Sequence, residues 1–139
     1  MIDGERATDE DVVEVRVPAD RAQLFVLRSL VAAIALREDF DLDEVEDVKL
    51  AVDEMCSVLV MRARPGETLV CRFETAPGSV ELLASVATED PRPIGRNTFG
   101  WRVLATLADD VTTWTTPGSR FGHVLHIKMT KSRSGGFDW

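Results

Sequence analysis

Residues 42–60, LDEVEDVKLAVDEMCSVLV, decide the fold. Val45, Val48, Val52, Met55, Cys56 and Leu59 recur at helical spacing, so one stripe of a long helix faces a core. Asp41 stands where an N-cap belongs and Glu44 follows three residues later, the pairing of a capping box. Leu50, Glu54, Val58 and Met61 form a second stripe. Residues four apart are stacked neighbours on a helix, so Glu54 and Val58 project into the same space. Any chemistry is expected there.

The flanking sequence supplies a sheet. VVEVRV, residues 12–17, alternates valines with Glu14 and Arg16 as a half-buried strand does, and Pro18 ends it. Asp20 with Gln23 signals a helix start, and Leu24, Leu27, Val31 and Ile34 carry its stripe to about residue 37. After the Pro-Gly turn in ARPGE, the runs TLVCRFET (68–75) and SVELLASVAT (79–88) predict a hairpin. The loop TEDPRPIGRNT leads into a helix expected at about 100–110, and VTTWT and GHVLHIKMT predict a last strand pair. The order β, α, α, β, β, α, β, β is satisfied by one mixed or antiparallel sheet with helices on one face, an α+β fold. Residues 11–130 are expected to form a single domain, with a flexible N-terminus at 1–10 and a flexible tail at 131–139.

Composition narrows the function classes. A chain of 139 residues, 45% hydrophobic, can bury a core without staples. Its two cysteines fall on a core face and inside a strand, so a reducing, cytoplasmic setting is expected and a disulfide framework is not. The acidic start MIDGERATDED is unlike a secretory signal, and the longest apolar run, broken by Arg28 and Ser29, is too short to cross a bilayer. A net charge of −8 argues against direct nucleic-acid binding, which needs clustered Lys and Arg. Asp39, Asp41 and Asp43 resemble the start of a calcium loop, but Glu44 stands where that loop needs glycine. His123 and His126 fall on opposite faces of a strand, poor geometry for a shared metal.

Segments spread over nearly the whole chain carry a resemblance. LDEVEDVKLAVDEMCSVLV resembles the first nucleotide-box helix of the bacterial serine-kinase anti-sigma factors of the RsbW and SpoIIAB type, in the GHKL ATPase superfamily. VPADRAQLFVLRSLVAAI (17–34) is similar to the family's first helix, with its arginine at Arg28. FGWRVLATLADDVTTW (99–114) is similar to the segment after the second glycine box, and FGHVLHIKMTK to the last strand. The resemblance implies a GHKL, Bergerat-type two-layer sandwich.

It also implies site residues. Glu54 is the acid that acts on the nucleophile or orients its attacking oxygen. Four residues on, the family has an asparagine that ligates magnesium; here Val58 has no oxygen to offer. Asp90 or Glu89 is what remains of the adenine-reading box, with no glycine until Gly95, and Pro91 and Pro93 stiffen that loop and remove amide donors. Gly100 remains of the second box, Gly118 and Gly122 of the third. Asp90, Gly95, Gly100, Gly118 and Gly122 are therefore the candidates for holding ATP, and no metal ligand is assigned. Phosphoryl transfer depends on positioned metal and phosphate clamps, so the worn boxes predict a binding protein. The implied role is an anti-sigma factor that sequesters a stress or developmental sigma factor, is released by a STAS-domain anti-anti-sigma factor, and pairs as a homodimer through the sheet side. Arg28 is the foremost partner-binding candidate, with Arg21 and Gln23 behind it. The alternative is an active ATP-dependent serine kinase that phosphorylates its antagonist.

Overall fold

A computed structural model describes residues 11–119 and 122–134. Strands β1 (Val12–Pro18), β2 (Thr68–Ala76), β3 (Ser79–Thr88), β4 (Asp110–Pro117) and β5 (His123–Ser132) form one sheet in the order β1-β2-β3-β5-β4. Every neighbouring pair is antiparallel, which resolves the mixed-or-antiparallel alternative. Helices α1 (Leu24–Arg37), α2 (Leu42–Arg62) and α3 (Phe99–Leu107) cover one face.

The period-2 pattern of the strands explains the two layers. Leu69, Cys71 and Phe73 of β2, Val80, Leu82 and Ala84 of β3, and Leu125, Ile127 and Met129 of β5 are fully buried beneath the helices. Their alternate neighbours, among them Arg72, Leu83, Ser85, His126 and Lys128, lie on the other, partly open face. The inner stripe of α2 supplies the opposing side, with Val48, Val52, Met55, Cys56 and Leu59 almost wholly removed from water. At α2's start the capping box is complete: Glu44 N donates to Asp41 Oδ1 (2.8 Å) and Asp41 N to Glu44 Oε1 (3.0 Å).

Three boundaries differ from the sequence expectation. The Asp20 side chain caps Ala22 N (3.0 Å) and opens a short 3₁₀ turn, Arg21–Gln23, so α1 begins at Leu24. Helix α3 runs from Phe99 to Leu107 and not to 110. Ala108 is already extended, Asp109 N donates to Thr130 O (2.8 Å), and Asp110 pairs with Thr130, so the sheet ladder takes the chain before the helix can continue. At the C-terminal side, β5 extends past the expected domain end at 130 to Ser132. Ser132 N then donates to Asp109 Oδ2, Arg133 N to Gly78 O, and both Ser134 N and Oγ to Glu44 Oε2. The expectations for residues 1–10 and 135–139 lie outside the described residues.

Candidate nucleotide groove

Helix α2 presents its second stripe to a groove of about 490 Å³ lined by Arg21, Glu54, Ser57, Val58, Met61, Arg62, Ile94, Gly95, Thr98 and Gly100. The inner stripe of α2 is locked into the core, so helical geometry alone aims Glu54 and Val58 outward. The opposite wall is the β3–α3 loop. Thr98 bends it by donating to Gly95 O (3.1 Å) while capping Trp101 N (3.2 Å), and this sets the first turn of α3 against Glu54. Gly100 brings the α3 backbone close to the acid: a Cβ there would come to 2.9 Å from Glu54 Oε1, so the carboxylate would have to swing aside.

A second cavity of about 480 Å³ adjoins the first through Met61 and Arg62 and is lined further by Arg64, Thr88, Glu89, Asp90 and Arg92. Asp90 lies in this second space and does not share the groove with Glu54. Its carboxylate is engaged on both oxygens: Arg92 Nε reaches Oδ1 at 2.9 Å, Arg92 Nη2 reaches Oδ2 at 2.8 Å, and Arg92 N donates to Oδ1 at 3.0 Å. These Arg92 hydrogen bonds, with the charge of Arg62 beyond, hold the Asp90 carboxyl far below the usual carboxylate range.

The other sequence candidates scatter. Gly95 and Gly100 line the groove. Gly118 and Gly122 close the β4–β5 hairpin, with Gly118 N donating to Gly122 O (3.0 Å), and neither lines the groove. Gly122 is needed for its φ of +80° and because a Cβ would meet Thr88 O at 3.0 Å. Arg28 sits on α1 paired with Asp53 of α2 (2.7 Å), both side chains partly exposed. Arg21, read as a partner contact, lines the mouth of the groove, while Gln23 is half-buried at the start of α1. Of the larger aromatics, Trp101 is in the core with Arg96 over its ring, and Trp114 stacks on His126 on the open face of the sheet.

The sequence offers Arg62 or Arg64 only as a nearby ion-pair partner for Glu54, and does not place Arg62 in the groove. The helical step from Glu54 through Val58 leads to Arg62, one further turn along α2, and that spacing was the available signal. Neither Arg62 nor Arg64 pairs with Glu54: Arg62 reaches the β3–α3 loop and Arg64 pairs with Glu67 (3.0 Å). Cys56 and Cys71 are both buried, and the neighbouring Cys71 thiol together with burial pushes the Cys56 thiol well up. Such a thiol is packing, not a nucleophile.

A family model described as a histidine kinase-like ATPase domain matches residues 17–129. The chain belongs to that family. Within it, the chain is 38% identical over 126 residues to the anti-sigma-F factor RsbW of Mycobacterium tuberculosis, covering 86% of this chain and 75% of that protein. It is 36% identical over 79 residues to the serine-protein kinase RsbW of Bacillus subtilis, covering 54% of this chain and 49% of that one. Among solved structures, a histidine kinase domain from Erythrobacter litoralis superposes with a TM-score of 0.46 at 15% identity, over 81% of this chain and 61% of that one.

Family membership implies a site for ATP and magnesium, and the residues present do not fit that pair. Val58 faces the groove where an oxygen ligand belongs, and among the described residues no group of three or more His, Cys, Asp or Glu side chains is placed to hold a metal ion. The Asp90 carboxylate that would read a base is taken by Arg92. What the groove retains is an acid beside a helix N-terminus, two arginines and an apolar wall of Val58, Met61 and Ile94. No helix among the described residues is long and apolar enough to span a membrane.

Proposed function

We propose that this protein is an anti-sigma factor that holds an alternative RNA polymerase sigma factor in an inactive complex, and that it acts by binding. The observation that carries the reading is the likeness to an anti-sigma-F factor across most of both chains. The aliphatic Val58 beside Glu54 supports binding over phosphoryl transfer, because a hard cation has nothing to hold it at that position. Release is by a STAS-domain antagonist competing for the outer surface of α1. Arg28, Arg21 and the exposed Phe25 supply charge and apolar area there. The setting is cytoplasmic. A homodimer forms through the open face of the sheet, where Trp114 stacks on His126 at 5.1 Å next to Leu83 and Val124.

Calorimetric titration against the host's purified alternative sigma factors tests this, followed by addition of a STAS-domain antagonist with ATP and magnesium. A tight complex with one sigma factor, dissolved by an antagonist of unchanged intact mass, is the expected result. A phosphate-sized mass gain on the antagonist would replace the reading with the serine-kinase alternative, which the likeness to the Bacillus kinases supports. Binding to none of the sigma factors would sink it.

A further inference from the structure

Arg62, the last residue of α2, is tied to the β3–α3 loop through all three nitrogens of its guanidinium. Arg62 Nη2 donates to Arg92 O (2.6 Å) and Pro93 O (3.3 Å), Nη1 donates to Arg92 O (3.1 Å), and Nε lies 3.7 Å from Asp90 Oδ2. Its side chain is 19% exposed, and the carbonyls it holds lie at the surface, so the guanidinium reaches out of α2 to fasten the loop by charge-assisted bonds. Around this anchor the loop is knotted to itself: Asp90 N donates to the wholly buried Thr88 through Oγ1 (3.1 Å), Arg92 closes on Asp90, and Ile94 inserts into the core. Arg62 also lines both cavities.

We propose that Arg62 is a latch and the specificity-determining residue of the groove: it fastens the loop to α2 and divides the space between Glu54 and Asp90 into two chambers. A ligand confined to the apolar chamber beside Val58 and Ile94 is admitted. A nucleotide reaching both acids is excluded, because it would have to pass through the guanidinium. The second half of the proposal rests on reading Glu54 and Asp90 as two ends of a family nucleotide site; the latch itself does not.

The test uses the full chain and two variants, Arg62→Met, which keeps the stem and loses every donor, and Arg62→Lys, which keeps the charge but not the fork. The first readout is tryptic cleavage of the Arg96–Asn97 bond in the loop, relative to Lys49–Leu50 in the middle of α2, which opens only on global unfolding. Release of the latch raises that ratio by about tenfold in Arg62→Met, the scale of one lost charge-assisted hydrogen bond, with Arg62→Lys in between. The second readout is fluorescence titration with methylanthraniloyl-ATP in EDTA, where Arg62→Met binds more tightly than wild type. If Arg62→Met fails to fold, Arg62→Lys carries both readouts. An unchanged cleavage ratio in a folded variant overturns the latch. A raised ratio without any gain in nucleotide binding upholds the latch and overturns the nucleotide reading of the two chambers.

Discussion

Glu44→Gln probes the joint between the chain's C-terminal side and the helix that carries the groove. Glu44 is 8% exposed, and its carboxylate accepts from Asp41 N at 3.0 Å and from Ser134 N and Oγ at 2.6 Å each. Burial alone would raise this carboxyl. The Ser134 and Asp41 hydrogen bonds, helped by Lys131, outweigh burial and hold it below its usual value of 4.5. Glutamine keeps one acceptor oxygen, so it satisfies either Asp41 N or Ser134 and presents a second donor to the other. A hydrogen bond to a charged group contributes about 1.5–3 kcal/mol when buried, and Ser134 is exposed enough to regain water, so the loss is set at about 2 kcal/mol. For a domain of this size that lowers the thermal midpoint by roughly 6–8 °C.

The pH dependence has a definite sign. A carboxyl depressed in the folded state binds fewer protons than its unfolded counterpart, so stability rises with pH through this window. The contribution is fully present above about pH 5 and disappears as pH falls through the folded value. Urea denaturation of both proteins, at neutral pH and in steps toward pH 4 and below, checks this. The gap is expected to be widest at neutral pH and to close in acid. A gap that stays constant across that range, or none at neutral pH, would refute the assignment of the stabilisation to an ionised Glu44.

Two further outcomes follow from the site. Gly100→Ala places a Cβ at 2.9 Å from the tip of a flexible side chain, Glu54, which can swing aside, while alanine favours the helix by up to about 1 kcal/mol. The thermal midpoint should hold or rise, and a clear fall would mean that the Glu54 carboxylate is rigidly placed. Arg28→Ala removes a half-exposed ion pair with Asp53 and should cost no more than about 1 kcal/mol of stability in denaturant titration, yet weaken sigma-factor binding by about tenfold, whereas Asp53→Ala frees the arginine and should preserve affinity. Equal affinities across wild type and both variants would remove Arg28 from the partner surface.

Much of the fold was legible because its signals are local. The α2 stripe, its capping box and the period-2 runs of β2, β3 and β5 are patterns within single elements, and each appears in the structure at or near its expected boundary. The end of α3 was not legible, because Asp109 and Asp110 leave the helix for hydrogen bonds with Thr130 and Ser132, some twenty residues away. The same holds for Ser134, whose partner Glu44 lies 90 residues upstream. Propensity along a chain carries no information about such partners.

For the site the division runs between aim and occupancy. Helical spacing by itself determined that Glu54 and Val58 share one outward face, and the identity of Val58 determined that no oxygen ligand stands beside the acid. Only the tertiary structure decided that Asp90 is consumed by Arg92, that Arg21 belongs to the groove as well as to the α1 surface, and that Gly122 serves a hairpin packed on Thr88. It alone decided that Arg62 spends its donors on the carbonyls of Arg92 and Pro93. Side-chain chemistry is written in the sequence, but which donor meets which acceptor depends on where a loop 30 residues distant comes to rest, and only the packed chain settles that.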